Sequence, residues 1–190
     1  MPYTPSYSFL MSITKIVSGG QTGADRGGLD AAIHCKLDYG GWIPKGRKAE
    51  KGIKVPLEYE HLREHQSGDY LARTEANVVD SDATAVFTHG KPTGGSKKTI
   101  DLADKHDRPC LAVDLDRSRS EGVDEIAEWL EADCPSNCIL NVAGSRESKD
   151  PSIGRTVMAW MIDVISKANG TLFYPIDDHR PAMILRDQKC

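Results

Sequence analysis

The sequence predicts an α/β domain in which helices flank a mainly parallel sheet of about five strands. Short apolar runs alternate along the chain with segments whose apolar residues recur at helical spacing. The run Ala83–Thr88 is of the continuous apolar kind that is typical of strands buried on both faces of a parallel sheet. The length of 190 residues, with 39% hydrophobic and 27% charged residues, fits one compact domain.

The first half of the chain contains two predicted strands and two predicted helices. Ile13, Ile16 and Val17 form a short β-prone run, and a glycine-rich turn separates it from a helix over about 25–37 that Asp25 can cap. A short strand at 39–43 precedes a basic loop, and no clean period follows until a helix at 68–80.

The second half repeats the alternation of strands and helices. The predicted elements are the strand Ala83–Thr88, a helix at 96–106, a strand at 109–115, a helix at 123–132, a strand at 138–143 and a helix at 153–168. Five strands that are separated by helices predict a parallel sheet with helices on both faces.

A glycine-rich segment, SGGQTGADRGG, follows the first strand and has the layout of an anion-binding loop. Gly19, Gly20 and Gly23 lack the Cβ atoms that would keep a ligand from the backbone, and Gln21 and Thr22 add polar groups. Free N–H groups and the positive end of the helix dipole would attract a phosphate. The segment fits neither a Walker A loop nor the GxGxxG fingerprint. A tight strand-to-helix turn without a ligand is the alternative.

Ligands of open parallel sheets gather at the carboxyl ends of the strands, and four unusual loops are predicted there. The expected ligand-binding residues are Gly19, Gly20, Gln21, Thr22, Gly23, Asp25, Lys45, Gly46, Arg47, Lys48, Gly94, Gly95, Ser96, Gly144, Ser145, Arg146, Glu147 and Ser148. The cations among them would supply the local positive charge that a chain of net charge −4 lacks. The basic loop at 45–48 is equally well explained as a solvated surface turn.

The net charge and the hydropathy of the sequence limit the classes of binding partner and the cellular location that we expect. A net charge of −4 argues against general binding of nucleic acid. No apolar run approaches the roughly 20 residues of a membrane span, and residues 1–12 lack the features of a signal peptide. We therefore expect a cytoplasmic protein whose partner is a phosphorylated small molecule and not nucleic acid or a membrane.

Metal binding and catalysis have weaker signals. The five cysteines form an odd set, which makes a disulfide framework improbable. A zinc pair at Cys134 and Cys138 is an alternative that lacks a second Cys/His pair, so no metal ligands are predicted. Asp101 and Glu147 are the candidate catalytic carboxylates if the protein is an enzyme, but helix capping or ion pairing also explains such residues. A non-catalytic binding protein is the favoured interpretation.

Several motifs resemble those of the putative molybdenum carrier family. They are SGGQTGADRGGLDAA, GGW-x-PKGRKAE-x-G, RT-x-x-N and NVAG-S-RESK-x-P, and together with intervening matches they extend in order over about residues 13–168. This family is similar to a wider Rossmann-like group of nucleotide-binding proteins that includes the lonely-guy phosphoribohydrolases and DNA-processing protein A. The resemblance implies a Rossmann-like three-layer sandwich that binds a phosphorylated pterin, such as molybdenum cofactor, or a nucleotide. It also implies self-association into a homo-oligomer.

Two other functions remain open at this point. The phosphoribohydrolases carry a PGG-x-GT-x-x-E loop whose glutamate serves N-glycosidic cleavage, whereas this chain reads PTGGSKKTID and offers only the shorter Asp101 nearby. A ligand-sensing interaction module is the third hypothesis, with residues 171–190 as its partner surface. The predicted organisation is a flexible arm at 1–12, a Rossmann-like ligand-binding domain at 13–168 and an extension at 169–190.

Overall fold

A computed structural model describes residues 11–171 as a parallel sheet between helical layers. Its six strands are β1 (Ser12–Val17), β2 (Asp38–Ile43), β3 (Leu62–Glu64), β4 (Ala83–Thr88), β5 (Cys110–Asp114) and β6 (Asn137–Gly144). Its five α-helices are α1 (Ala24–His34), α2 (Tyr70–Val79), α3 (Gly95–Lys105), α4 (Arg119–Asp133) and α5 (Ile153–Asn169). The predicted α/β fold is confirmed.

The strand order places a crevice near the middle of the sheet. The order is β3-β2-β1-β6-β4-β5, and every described pairing is parallel. From β1 the chain builds outward through β2 and β3, then crosses to β4 and β5, and finally returns to place β6 between β1 and β4. The carboxyl ends of β1, β6 and β4 therefore lie at the point where the winding direction changes, which is where open α/β sheets bind ligands.

The helices form two layers around a buried sheet. Helix α5 packs against both α1 and α4, and α2 packs against α3. The fully buried Phe87, Ile126 and Met161 belong to the core that joins the sheet to α4 and α5. A second core, which includes Leu29 and Ile43, lies beneath the segment between β2 and β3. Continuous burial of all six β4 residues explains why that strand reads as apolar throughout.

Two helix boundaries and one additional strand differ from the predictions for local reasons. Helix α1 ends at His34, because Lys36 adopts a φ of 56° that a helix cannot continue. Helix α4 begins at Arg119, since the Ser118 hydroxyl accepts a hydrogen bond from the Glu121 amide at 3.4 Å and caps the helix. Strand β3 was not predicted because its three residues are too few to show a period.

The predicted terminal segments fall largely outside the described residues. Strand β1 begins at Ser12 and α5 ends at Asn169, so the described chain contains only the inner edges of the predicted arm and extension. The division into three segments therefore stays a prediction. No helix within residues 11–171 is long and apolar enough to cross a membrane.

Candidate functional site

A cleft of about 550 Å³ opens at the carboxyl ends of the central strands. Its walls are the loops that follow β1, β4 and β6, together with the first turns of α2 and α3. The cleft brings half of the predicted binding residues together: Gly19, Gln21, Asp25, Gly94, Gly95, Ser96, Gly144, Ser145 and Arg146. The other half does not line it: Gly20, Thr22, Gly23, Lys45, Gly46, Arg47, Lys48, Glu147 and Ser148.

Three amides of the glycine-rich loop after β1 are bonded within the protein. The Gln21 amide donates to Asp25 Oδ2 at 3.2 Å, and the Thr22 amide donates to Gln21 Oε1 at 3.0 Å. The Ala24 amide donates to the Ser145 carbonyl oxygen at 3.0 Å. These three amides are therefore not the free anion-binding groups that the sequence led us to expect.

The start of α1 also differs from the prediction. The N-cap is Gly23, which makes no side-chain capping bond, and Asp25 lies in the first helical turn. The prediction that Asp25 caps the helix was wrong, because its carboxylate turns back to the Gln21 amide instead. A Cβ atom at Gly23 would lie 2.5 Å from the Ser145 carbonyl oxygen, so the loops after β1 and β6 meet there with no room for a side chain.

Glu50 ties together the loops that follow three strands. It is 8% exposed, and its carboxylate accepts hydrogen bonds from the Thr22 hydroxyl, the Ser148 hydroxyl and, at 3.1 Å, the Ser148 amide. Its own amide donates to Gln21 Oε1 at 2.9 Å. Burial alone would raise the pKa of Glu50, but these bonds and the charge of Arg146 together lower it. Thr22 and Ser148 therefore do not line the cleft but, through Glu50, hold together the loops that form it.

Arg73 is a cleft residue that was not selected from the sequence. It lies on α2, is 8% exposed, and places Nη1 3.5 Å from Asp25 Oδ2. Burial raises the pKa of Asp25, and the charge of Arg73 opposes that rise. Within residues 11–171, Arg73 Nε has no hydrogen-bond partner. The available signal was the RT-x-x-N motif, which sets Arg73 and Asn77 on one helical face.

Gly19 leaves room for the Arg73 guanidinium, and Asn77 fixes the position of α2. A Cβ atom at Gly19 would lie 1.4 Å from Arg73 Nη1, so only glycine allows the guanidinium this close to the loop. Asn77 Oδ1 accepts from the Trp42 amide at 2.7 Å, and Asn77 Nδ2 donates to the Trp42 carbonyl at 3.0 Å. This pair of bonds joins α2 to β2 and thereby sets the position of the wall that carries Arg73.

The start of α3 has the properties expected of an anion site. Gly94 is its N-cap, with φ 56° and no side-chain capping bond. At both Gly94 and Gly95, atoms of adjoining residues aside, no atom lies within 4 Å of the position that a Cβ atom would take. Within the described residues, no side chain caps the amides of this first turn, so these amides and the positive end of the helix dipole lie at the cleft. Lys98, Arg146 and Lys149 line the same cleft and add positive charge.

The basic loop at 45–48 lies outside the cleft lining. The Arg47 guanidinium donates to the carbonyl oxygens of Val55, at 3.0 Å, and of Pro56. Arg47 thus holds the segment between β2 and β3 against itself. Lys45 and Lys48 are exposed, and neither lines the cleft. The exposed positions of Lys45 and Lys48 fit the alternative of a solvated surface turn, and contact of this loop with a ligand stays a prediction.

The two candidate catalytic carboxylates also lie outside the cleft lining. Asp101 is exposed on α3 and forms an ion pair with Lys97. Glu147 accepts hydrogen bonds from the Ser152 amide at 2.6 Å and the Gly154 amide at 3.4 Å, so it stabilises the start of α5. The carboxylates that do line the cleft are Asp25 and Asp69.

The cysteines offer no metal cage in the described part of the chain. Interaction with the Cys138 thiol lowers the pKa of the Cys134 thiol. Across residues 11–171, however, no three His, Cys, Asp or Glu side chains are grouped so that they could hold a metal ion. The alternative of a zinc site at this pair therefore lacks further ligands in that range.

Comparisons with known proteins agree with the architecture. Residues 16–165 match the model of a family described as the circularly permutated YpsA SLOG family. A crystal structure titled "putative molybdenum carrier protein", from Syntrophus aciditrophicus SB, shares 46% sequence identity with this chain and superposes with a TM-score of 0.76. The match covers 82% of this chain and 96% of that one. No curated protein matches the chain.

Proposed function

The chain belongs to the circularly permutated YpsA SLOG family, and on this premise we propose that it binds and carries a phosphorylated pterin or nucleotide in the cleft between α2 and α3. The observation that carries the proposal is the uncapped start of α3, which faces the cleft beside three cationic side chains. Amides at a helix N-terminus bind phosphate through hydrogen bonds and the helix dipole together.

The charge balance of the cleft supports an anionic ligand. Its cations are Arg73, Lys98, Arg146 and Lys149, against the carboxylates of Asp25 and Asp69. Arg73 is already paired with Asp25. Lys149 Nζ donates to Thr93 Oγ1 at 2.7 Å. This bond joins the loop after β6 to the residue that precedes the N-cap of α3. The phosphate would therefore meet its cations from two sides.

The residues present fit a phosphorylated pterin better than a bare metal. A phosphate would bind at the start of α3 with Lys98 and Arg146, and a flat ring would lie toward α2. The name of the similar crystal structure, a molybdenum carrier protein, supports molybdenum cofactor as one such ligand. Within residues 11–171 no cluster of metal ligands exists, so molybdenum would arrive as cargo held by the organic part of the cofactor.

We expect Arg146→Ala to weaken binding of a nucleoside monophosphate by about 1.5–3 kcal/mol, the usual contribution of a charge-assisted hydrogen bond. Isothermal titration calorimetry with guanosine monophosphate and adenosine monophosphate measures the change.

Lys98→Ala and Lys97→Ala form a matched pair, because both remove one charge from the first turns of α3 but only Lys98 lines the cleft. Equal affinities for these two variants would remove the start of α3 from the site.

Hydrolysis of an N-glycosidic bond is the alternative function, and the positions of Asp101 and Glu147 do not favour it. We expect Asp101→Asn and Glu147→Gln to leave ligand affinity within about twofold of the parent, since neither side chain lines the cleft. Release of free base from a nucleoside monophosphate, followed by chromatography, measures turnover directly. Turnover by the parent that is abolished in either variant would establish the hydrolase and contradict the carrier role.

A ligand-sensing module, homo-oligomerisation and a cytoplasmic location remain predictions. The proposed partner surface at 171–190 lies outside the described residues except for Thr171. Deletion of residues 172–190, followed by light scattering and a pull-down, tests whether that segment recruits a partner. An unchanged oligomeric state and unchanged partners would exclude the sensing module.

A further inference from the structure

The two walls of the cleft differ in chemistry. The α3 wall carries open amides and Lys98, whereas the α2 wall carries Tyr70 and Leu71 beside Arg73, which is paired with Asp25. Tyr70 is 41% exposed and Leu71 is 43% exposed, and they belong to a small set of large hydrophobic side chains that are exposed in the described part of the chain. A cleft with a basic wall opposite an exposed aromatic and an exposed aliphatic side chain suits a ligand that joins a phosphate to a flat ring.

Asp69 adds a hydrogen-bond acceptor to the α2 wall. It precedes α2 as the N-cap, and its Oδ1 accepts from the Leu71 amide at 3.0 Å. Its own amide donates to Ser67 Oγ at 3.0 Å, which fixes the backbone of the cap. A carboxylate has about four acceptor positions, so this one capping bond leaves others for a ligand. Asp69 is exposed and lines the cleft beside Tyr70.

We infer that Asp69 selects rings that present two adjacent N–H donors, the edge shared by guanine and pterin, and that it disfavours adenine. In a 2-amino-4-oxopyrimidine edge, the ring N–H and the exocyclic amino group point the same way and match the two oxygens of a carboxylate. Adenine places an acceptor nitrogen beside its amino group, and that acceptor would face the carboxylate charge. This inference rests on the proposed function and names the ligand class of the same cleft.

Asp69→Asn tests the inference without removing the helix cap, because asparagine caps helices as well as aspartate does. The probes are guanosine, inosine and adenosine monophosphates and 6-hydroxymethyldihydropterin monophosphate, each titrated calorimetrically. Inosine monophosphate lacks only the 2-amino group of the guanosine form. The parent should bind the guanosine form and the pterin at least about tenfold more tightly than the other two. Asp69→Asn should reduce that preference to about twofold or less, with adenosine monophosphate affinity unchanged or improved.

Asp107→Asn is the matched control, since it removes one exposed carboxylate beyond the far end of α3. This variant should keep the full preference of the parent. Equal parental affinities for all four probes, or a preference that survives Asp69→Asn, would overturn the inference while leaving the carrier role in place if binding still depends on Arg146. Failure of all four probes to bind would remove the proposed function and the inference together.

Discussion

Gly23→Ala is expected to lower the free energy of unfolding by about 2–6 kcal/mol. Gly23 combines φ 83° with ψ −131°, a conformation that costs about 1–3 kcal/mol for a residue with a Cβ atom. The new Cβ would also lie 2.5 Å from the Ser145 carbonyl oxygen and 2.7 Å from the Glu147 amide nitrogen. Both contacts are with backbone, so relief requires the loops after β1 and β6 to separate, and overpacking of this kind adds about 1–3 kcal/mol.

Gly94→Ala separates the cost of the backbone conformation from the cost of steric overlap. Gly94 is also the N-cap of a helix at positive φ, but beyond its chain neighbours nothing lies within 4 Å of the position a Cβ atom would take. It should therefore cost only the conformational part, about 1–3 kcal/mol. Urea unfolding followed by circular dichroism measures both variants. Equal losses at the two positions would show that the loops after β1 and β6 are not closely packed at Gly23.

Glu50→Gln is expected to lower the free energy of unfolding by about 2–4 kcal/mol, because charge-assisted hydrogen bonds from Thr22 and Ser148 are weakened. The glutamine amide would also place donors where the protein already supplies donors. Glu125→Gln is the control, since Glu125 pairs with Arg117 at the exposed surface, where ion pairs contribute little. Similar losses for the two variants would contradict the role of Glu50 as the link between the loops.

The contribution of Glu50 should depend on pH in a defined direction. Because the folded pKa of Glu50 lies below its ordinary value, the stabilisation is present above about pH 4.5 and is lost as pH falls through the folded pKa. Asp25 acts oppositely, since burial raises its pKa and protonation then favours the folded state. The stability difference between the parent and Glu50→Gln isolates Glu50 and should shrink below about pH 4.5. A constant difference down to pH 3 would contradict this.

Most of the fold could be predicted from the sequence because every element except β3 has its own local signal. The buried strand Ala83–Thr88 and the glycine turn before α3 are visible as short patterns. The position of β6 between β1 and β4 is a matter of long-range pairing that no local pattern specifies. The three-residue β3 also escaped prediction, since it forms by pairing with β2 at the sheet edge.

The site was predicted in part, for a related reason. The rule that ligands meet strand ends selected the start of α3 and Arg146, which line the cleft. The same rule gave equal weight to the loop after β1, whose amides are bonded to Asp25, Gln21 and Ser145, the last of which is brought to the loop by the tertiary fold. Arg73 lines the cleft from α2, whose sequence pattern is that of an ordinary amphipathic surface helix. Its proximity to Gly19 follows from the packing of α2 against β2.

Amide NMR of nitrogen-15-labelled protein titrated with guanosine monophosphate tests most directly whether phosphate binds at the start of α3. We expect the largest shifts at the amides of Gly95 and Ser96, with smaller changes at the amides of Gln21 and Thr22, which are already bonded within the protein. Inorganic phosphate at higher concentration should shift the same α3 amides. Shifts centred on residues 19–23, with α3 unaffected, would contradict the assignment of the phosphate site to this helix.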